Sequence, residues 1–458
     1  MLEIQSRVLL LELLNFSSHR NIKLYVVGGT LRDHILRKNI SDVDLTGENI
    51  AELGAAFAKS LNFNNIPLDK TPGRSTTRII LPNKKHWDCT DMQGSKIEED
   101  LSKRDFTMNA MGQELSDFLG GRRNIIDLFE GREDLYNKIV RATPGNVFEA
   151  DPLRMLRAFR FSTTLGFTID PGTLEEISVH KEGILKTAGE RIWQEFLEFL
   201  KPANTGNVIN LMKEAGLLSC LLPNSTLQWG KTLTHYKRLE HILENATIYF
   251  PDQTKLIQLS DKERALLKLS VLLKETHSSS ITDPENHGSP EVFNFLKTLK
   301  ASNNEINFIC KSIQNSISFT ELKLGNLSDS VLYDFSKSCG DQLIPGMLLQ
   351  ICTSPFPNKI DHDKNDILDH FSKVLEFYCN RYLPVLGEKA LLDGNDIMRV
   401  LNINPSPVLG GILDEIRRAQ VLGCINTPEE AEALAASILK SHIQNGTNVH
   451  SIPKFKME

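Results

Sequence analysis

Two aspartates separated by one residue, Asp42 and Asp44, are the side chains in this sequence best placed to do chemistry. In a β-strand, residues two apart face the same side, so both carboxylates can point at one place. Carboxylates combined with substrate phosphates suit Mg²⁺. The pair predicts a two-metal site, with Asp42 and Asp44 as the metal ligands, that activates an attacking hydroxyl and neutralises a departing pyrophosphate.

A double glycine, Gly28-Gly29, lies upstream of the aspartates, after the apolar run Tyr25–Val27 and before Arg32. Glycines at a strand-to-helix turn let backbone N–H groups approach a phosphate, and the following helix adds its dipole. Each piece alone is also typical of an ordinary turn or a surface loop. Together, with a predicted strand on each side, they favour a nucleotidyl-transfer site in which Gly28, Gly29 and Arg32 bind the nucleotide.

Further polar residues follow in the same region. Asp88 is the carboxylate of the alternating segment His86–Cys89, and we predict that it is the general base or a third metal ligand, with a plain surface aspartate as the alternative. Arg104 and Asp105 lie at a helix start. They could bind the triphosphate and a sugar hydroxyl, respectively, although alternating charges on a helix are usually solvated.

Four charged residues recur at three-residue spacing: Asp151, Arg154, Arg157 and Arg160. On a helix this spacing places neighbouring members on one flank, with Leu153, Leu156 and Phe161 free to face the core. Asp accepts and Arg donates hydrogen bonds, so one Asp–Arg pair fits the edges of cytosine and adenine and rejects guanine and uracil. We predict this base-reading role for Asp151 and Arg154. For Arg157 and Arg160, a helix held by salt bridges is a serious alternative.

Length and composition limit the possible classes of protein. A chain of 458 residues with 40% hydrophobic content is too long for one core. No apolar run approaches the roughly 20 residues that span a bilayer, so we expect a cytoplasmic protein without a membrane segment. The seven scattered cysteines indicate neither disulfides nor a zinc site. A net charge of -6 still permits a local basic groove for nucleic acid.

The character of the chain changes near residue 145. Before it, strands and helices alternate; after it, helical periodicity dominates, with turns at prolines such as Pro345 and a flexible loop expected at His277–Gly288. The predicted early strands are Lys23–Val27, Val43–Leu45, Thr77–Leu81 and His86–Cys89, and the predicted early helices are Ile4–Phe16, Thr30–Arg37 and Ile50–Lys59.

The chain resembles the bacterial class II CCA tRNA nucleotidyltransferases, whose family also contains bacterial poly(A) polymerases. The resemblance rests on five ordered motifs: Gly28–Asp33 with Asp42–Asp44, Lys103–Ala110, Asp127–Gly131, Asp151–Arg157 and Glu190–Trp193.

This resemblance implies an α+β fold with a polymerase-β-like nucleotidyltransferase head, a mixed sheet with helices, followed by an all-α neck, body and tail. We place these at residues 1–145, 146–225, 226–380 and 381–458.

The same resemblance implies an activity and its site. It implies CMP and AMP addition from CTP and ATP to a tRNA 3′ end, with Mg²⁺ as cofactor and no obligate protein partner. It adds Asn109 to the nucleotide-binding residues, makes Asp127–Gly131 a hinge, and lets Asp151 and Arg154 replace a nucleic-acid template.

Three departures from the family pattern stand out. Ala150 stands where the family commonly has a glutamate. Lys103 stands where the family frequently has an arginine, and lysine keeps the charge but lacks the planar guanidinium fork. The connection from Asp88 to Lys103 is much shorter than in enzymes that add all three nucleotides. We therefore expect a partial activity, with CC addition favoured over A addition.

Two alternative functions remain open. Poly(A) addition to RNA 3′ ends uses the same chemistry. An HD-type phosphohydrolase with a vestigial head is the alternative of another class, because the segments around His235 and Arg264–Leu273 resemble HD-domain helices. Lys274-Glu275 stands where that family has its metal-binding His-Asp pair, and an ammonium cannot ligate a cation, so we predict a degenerate HD-like scaffold.

Overall fold

The computed structural model describes residues 3–222, 228–251, 257–274, 290–322, 327–354 and 366–444. The chain divides into two compact units, Met1–Ser225 with Thr298–Lys300, and Thr226–Lys297 with Ala301–Glu458. The finer division into head, neck, body and tail stays a prediction.

The first unit is built on a mixed seven-stranded sheet and a two-stranded sheet. The strands are β1 (Leu24–Val27), β2 (Val43–Gly47), β3 (Asn64–Asp69), β4 (Thr76–Ile80), β5 (His86–Asp91), β6 (Met111–Glu114), β7 (Ile125–Asp127), β8 (Ile139–Val140) and β9 (Thr168–Ile169). The large sheet has the order β3-β4-β5-β2-β1-β6-β7, and β8 pairs with β9. Within the large sheet only the β2–β5 pair is parallel.

The alternation along β2 and β5 explains why these strands can carry carboxylates. In β2, Val43 and Leu45 are buried while Asp44 between them is partly exposed; in β5, Trp87 and Cys89 are buried around Asp88. Successive side chains in a strand point to opposite faces, so one face builds the core and the other displays the acids.

Helices surround the sheet and continue beyond it within the first unit. They are α1 (Ile4–Ser18), α2 (Gly28–Ile35), α3 (Ile50–Ser60), α4 (Ile97–Ser102), α5 (Leu115–Gly120), α6 (Gly131–Asn137), α7 (Val147–Ala150), α8 (Leu153–Leu165), α9 (Pro171–His180), α10 (Gly189–Leu200), α11 (Gly206–Glu214) and α12 (Leu217–Leu221). Short 3₁₀ segments lie at Thr107–Asn109 and Lys181–Lys186. Helix α8 packs against α10, and Phe159 of α8 and Phe196 of α10 are both buried.

From Thr226 onward the described residues form helices and no strand. The helices are α13 (Trp229–Glu244), α14 (Ala246–Tyr249), α15 (Asp261–Lys274), α16 (Pro290–Thr298), α17 (Asn303–Leu322), α18 (Asp329–Cys339), α19 (Leu343–Thr353), α20 (Asp366–Phe377), α21 (Leu383–Gly387), α22 (Gly394–Leu401), α23 (Pro407–Val421) and α24 (Pro428–Gln444). In the described part of the chain, no helix has the length and apolarity to cross a membrane.

The α+β prediction is confirmed, and the predicted early strands and helices are present with ends that differ by up to two residues. Pro345 was expected at a turn but lies in the first turn of α19, where a missing N–H costs no intrahelical bond. The predicted loop at His277–Gly288 lies outside the described residues.

The HD-like segments are helical, as expected. His235 is buried in α13, and the Nζ of Lys274, at the end of α15, donates to Thr353 Oγ1 at 3.0 Å and to Gln350 Oε1 at 3.3 Å. Among the described residues, no group of three or more His, Cys, Asp or Glu side chains could hold a metal. The degenerate character of this region stays a prediction, since Glu275 lies outside the described residues.

Candidate active site

The double glycine forms the turn between β1 and α2. Helix α2 begins at Gly28, two residues before the predicted start, and Gly28 has φ +60°. A Cβ on Gly28 would lie 3.1 Å from Arg104 Nη1, and one on Gly29 would lie 3.2 Å from Asp44 Oδ2. The turn therefore needs glycine for its backbone conformation and for the close approach of two functional side chains.

Thr30 fixes this turn to the start of β2. Its Oγ1 accepts a hydrogen bond from the backbone N–H of Asp44 at 2.7 Å and donates to the carbonyl of Asp42 at 3.3 Å. Because Thr30 is buried, this contact is shielded from water. One side chain thus sets the distance between the glycine turn and the strand with the paired acids.

The three predicted acids lie along neighbouring strands. Asp44 and Asp88 are direct partners in the parallel β2–β5 register, and Asp42 precedes β2. Burial raises the pKa of Asp44, and the charge of Asp88 raises it further, while Arg104 acts in the opposite direction. The Oδ1 of Asp42 lies 2.9 Å from His86 Nδ1.

Arg78 on β4 binds the third acid. Its Nε and Nη2 donate to Asp88 Oδ1 and Oδ2, each at 2.8 Å, and Arg78 is the antiparallel register partner of Asp88. The pKa of Arg78 is raised, first by these hydrogen bonds and also by the charges of Asp42 and Asp44. Any role of Asp88 as base or ligand therefore uses its remaining lone pairs or requires release from Arg78.

The donor set fits a hard divalent cation. The predicted ligands Asp42 and Asp44 lie two residues apart, Asp88 is the register partner of Asp44, and the described residues contain no preformed group of three or more His, Cys, Asp or Glu ligands. Mg²⁺ typically takes one or two carboxylates and completes its shell with water and substrate phosphates.

A cavity of about 540 Å³ lies beside Asp44 in the first unit. It is lined by all ten predicted nucleotide-binding residues, which come from three separate stretches of the sequence: Gly28, Gly29, Arg32, Arg104, Asp105, Asn109, Asp151, Arg154, Arg157 and Arg160. Asp44 also lines it, whereas Asp42 and Asp88 do not. Seven cationic side chains and four carboxylates line this cavity, an excess of positive charge that suits a triphosphate.

A chain of hydrogen bonds crosses the cavity wall. Arg32 Nη1 donates to Asn109 Oδ1 at 3.0 Å, and Asn109 Nδ2 donates to Asp105 Oδ1 at 3.1 Å. Asp105 Oδ2 accepts from Arg157 Nε at 2.9 Å, and Arg157 Nη1 donates to Glu195 on α10 at 3.2 Å. Burial raises the pKa of Asp105, but Arg157 and Asn109 outweigh it and hold that pKa below its usual value.

Arg104 is oriented by an acid that the sequence analysis did not assign. Asp100 Oδ2 accepts from Arg104 Nε at 3.1 Å and from Nη2 at 2.9 Å, and Asp100 is buried. The other oxygen of Asp100 accepts from the backbone N–H of Gln93 at 3.0 Å, and Lys103 Nζ donates to the Gln93 carbonyl at 2.6 Å. The short connection between β5 and α4 is thereby tied to the cavity wall.

The predicted base-reading pair is arranged differently from the expectation. Asp151 does not lie within a helix: its backbone is extended, and its Oδ1 accepts from the N–H of Leu153 at the start of α8, at 3.2 Å. Its carboxylate binds Arg191 of α10, with Nη2 2.8 Å from Oδ2. Arg154 Nη2 instead donates to the carbonyl of Lys103 at 2.9 Å.

The remaining two arginines of α8 form ion pairs, as the alternative allowed. Glu195 on α10 accepts from Arg157 Nη1 at 3.2 Å and from Arg160 Nε at 2.5 Å. Phe161 is buried, as expected, but it also lines the cavity, with the guanidinium of Arg160 4.3 Å from its ring centroid. Arginine above an aromatic face is held by a cation–π contact, so Phe161 also helps position the cavity wall.

Sequence reasoning missed Arg78, Asp100, Arg191 and Glu195 as partners of the site residues. Glu190–Trp193 was part of the family resemblance, and Asp100 opened the charged cluster before Arg104, but neither signal indicated a partner. For Arg78, the alternation of residues along β4 predicts the face of the strand on which the side chain lies, but not the residue that it contacts.

Comparison with known proteins shows what this chain is similar to. Three family models match in order: the poly A polymerase head domain at residues 24–141, the RNA and SrmB-binding site of polymerase A at 166–227, and the tRNA nucleotidyltransferase domain 2 at 284–437. The chain is thus similar to poly(A) polymerases in its first part and to tRNA nucleotidyltransferases in its second. The head-domain match contains the glycine turn, all three acids and Arg104.

The similarity to curated relatives extends over nearly the whole length of the chain. It is 26% identical to the CC-adding tRNA nucleotidyltransferase of Geobacter sulfurreducens, covering 92% of this chain and 93% of the relative. It is 28% identical to the CCA-adding enzyme of Levilactobacillus brevis, covering 90% and 93%. The solved Thermotoga maritima CCA-adding enzyme complexed with tRNA is similar in fold, with a TM-score of 0.66, 23% identity and 95% of both chains covered.

Proposed function

We propose that this chain adds CMP, AMP or both from CTP and ATP to the 3′ end of tRNA, without a nucleic-acid template, and releases pyrophosphate. The observation that carries the proposal is the shared cavity of about 540 Å³, in which Asp44 and the pair Asp151 and Arg154 line the same space. A nucleotide bound in this cavity would have its phosphates near Asp44 and its base near Asp151 and Arg154.

The phosphate end of the cavity has the groups that such a reaction needs. Gly28 and Gly29 expose backbone N–H groups at the start of α2, and Arg32 and Arg104 supply guanidiniums for the triphosphate. Asp42 and Asp44 would hold Mg²⁺, which supplies activation of the attacking hydroxyl and neutralisation of the leaving pyrophosphate. Arg78 orients Asp88 beside them.

The base end explains the choice of nucleotide. Cytosine and adenine each show an amino donor beside a ring-nitrogen acceptor, which the Asp151 carboxylate and the Arg154 guanidinium can bind. Guanine and uracil show a ring N–H in place of that acceptor. Arg191 donates to both oxygens of Asp151 and the N–H of Leu153 donates to Oδ1, so a lone pair on Oδ2 remains for a base amino group.

We propose further that the product is a CC end. The connection between β5 and α4 is only Met92–Lys96, and its Gln93 is bound through both its N–H and its carbonyl, by Asp100 and Lys103. A pocket that changes from cytosine to adenine must move its reading pair, and this segment is too short and too firmly held to act as the lever. The relatives include CC-adding, CCA-adding and A-adding enzymes, so the choice of CC rests on this short segment and not on their names.

The test is a set of nucleotide-addition assays on three tRNAs, lacking the whole CCA end, the last two nucleotides or only the final A. Each tRNA is incubated with the protein, Mg²⁺ and one labelled triphosphate. We expect CMP incorporation on the first two tRNAs and little AMP on the third. Long AMP tails on a generic RNA would favour the poly(A) alternative, and the absence of any incorporation would refute the proposed function.

A further inference from the structure

A second cavity, of about 660 Å³, adjoins the first in the same unit. Its volume lies within the roughly 300–1,000 Å³ of typical ligand sites. Asp151 and Arg191 line both cavities. On its other sides the second cavity is bounded by three residues of the β3–β4 hairpin and two segments that flank α8 and α10: Leu68, Asp69, Arg74, 150–152 and 186–188.

The order of the strands places this second cavity on one side of the reaction. The glycine turn that would bind the triphosphate follows β1, and β2 with its acids lies between β1 and β5, with β4 and β3 beyond. In phosphoryl transfer the attacking and leaving oxygens are roughly in line. With the pyrophosphate on the β1 side of the acids, the attacking hydroxyl must arrive from the β5, β4 and β3 side, where the hairpin lies.

The surface chemistry of the second cavity suits a polynucleotide strand. Arg74 of the hairpin and Lys186 of a separate segment both line the cavity with cationic groups, and Leu68 is 49% exposed. Arg74 contacts Asp69 at 3.2 Å, but both side chains are well exposed, so the pair is weak and Arg74 can turn to a phosphate. Lys186 is exposed as well. Backbone phosphates need such cations, and unstacked bases or riboses need apolar contact surface.

We infer that this second cavity receives the single-stranded 3′ terminus of the acceptor RNA, with Arg74 and Lys186 binding its phosphates. The inference rests on the proposed function and deepens it, because it assigns the site of the second substrate. The terminal nucleotide then lies beside Asp151 and Arg191, which line both cavities, and its 3′ hydroxyl faces the incoming triphosphate in the first cavity.

The test compares the wild type with the double variant Arg74→Ala/Lys186→Ala. Dissociation constants are measured as a function of salt for a tRNA that ends in the first C of the CCA end. Loss of two phosphate contacts on a single strand should reduce the slope of log K against log salt by about 1.4. We expect the Kd for this tRNA to rise roughly tenfold or more, while the KM for CTP at saturating tRNA stays unchanged.

Two controls make the result specific. Lys59→Ala removes an exposed cation at the end of α3, outside both cavities, and should change neither slope nor Kd. A tRNA cut back to its last paired nucleotide should bind the wild type and the double variant equally, because it has no single-stranded terminus.

The outcomes separate the inference from the proposed function. An unchanged salt slope and Kd in an active double variant would overturn the inference alone, and so would an equal loss of affinity for the cut-back tRNA. A wild-type protein that adds no nucleotide to any tRNA would instead overturn the proposed function.

Discussion

Asp151 and Arg191 form a two-point ion pair that joins the residue before α8 to helix α10. Arg191 Nη2 lies 2.8 Å from Asp151 Oδ2, and Nη1 lies 3.4 Å from Oδ1. The arginine side chain is 53% exposed and the aspartate 27%, so the pair contributes little to folding stability. Its main consequence is the orientation of the carboxylate at the junction of the two cavities.

The first prediction concerns this pair. Arg191→Ala should leave the free energy of unfolding within about 1 kcal/mol of wild type, because the pair is partly solvated. It should nevertheless reduce the preference for CTP over UTP, because Asp151 loses the group that orients it. The measurement is kcat/KM for both triphosphates, beside urea unfolding. Arg191→Lys keeps the charge but loses the planar fork, so it should restore the preference for CTP only in part.

The second prediction concerns the metal ligands. Asp42→Ala or Asp44→Ala should lower turnover by several orders of magnitude while tRNA affinity barely changes, because the carboxylates act in the chemical step. Single-turnover rates and tRNA binding measure the two effects. Glu48→Gln, just past the end of β2, is the matched control and should be nearly silent. Near-normal activity of Asp42→Ala would contradict its assignment.

The third prediction concerns base choice. Arg154→Ala should weaken discrimination against UTP and GTP by about 1–3 kcal/mol, the value of one bidentate contact to a base edge. The ratios of kcat/KM for the four triphosphates measure this effect. A uniform loss for all four would instead mean that Arg154, through its bond to the Lys103 carbonyl, only supports the fold.

The fourth prediction concerns stability and pH. Asp105 is buried, and despite that burial Arg157 holds its pKa below the usual value. A depressed folded pKa adds stability that is present above the unfolded pKa, near 4, and is lost as the pH falls through the folded pKa. Asp105→Asn should destabilise the protein by roughly 3–5 kcal/mol at pH 7 and flatten the loss of stability below pH 4.

Urea unfolding at pH 7 and at several acidic pH values measures both effects. Asp261→Asn, which removes an exposed partner of Arg264, is the control and should cost less than about 1 kcal/mol. Equal pH dependence in Asp105→Asn and wild type would show that another group causes the acid sensitivity.

The fifth prediction concerns the length of the product. On tRNA that lacks all three terminal nucleotides, the protein with both CTP and ATP should stop after two additions, because Met92–Lys96 cannot move the reading pair. Sequencing gels of the extended tRNA resolve each product. A complete CCA end made efficiently by this protein alone would refute the CC proposal.

The sequence alone was sufficient to predict the secondary-structure elements around β2, the strand that carries Asp44. Alternation of Val43 and Leu45 with Asp44 predicted β2, and the glycines predicted the turn before α2, because strand period and glycine conformation are local properties. Element ends were less accurate: α2 begins at Gly28 instead of Thr30, and α8 begins after Asp151 instead of including it. The extended backbone of Asp151, whose Oδ1 accepts from the N–H of Leu153, keeps that residue outside the helix.

What the sequence determined by itself is the set of chemical groups and the local geometry that displays them: the acids on β2 and β5, the glycine turn and the arginines of α8. What only the tertiary structure decided is which group each one contacts. Arg78 binds Asp88, Glu195 binds Arg157, and Arg191 binds Asp151, the last two pairs across nearly 40 residues. Such partners follow from the packing of strands and helices, and no spacing along the chain specifies that packing.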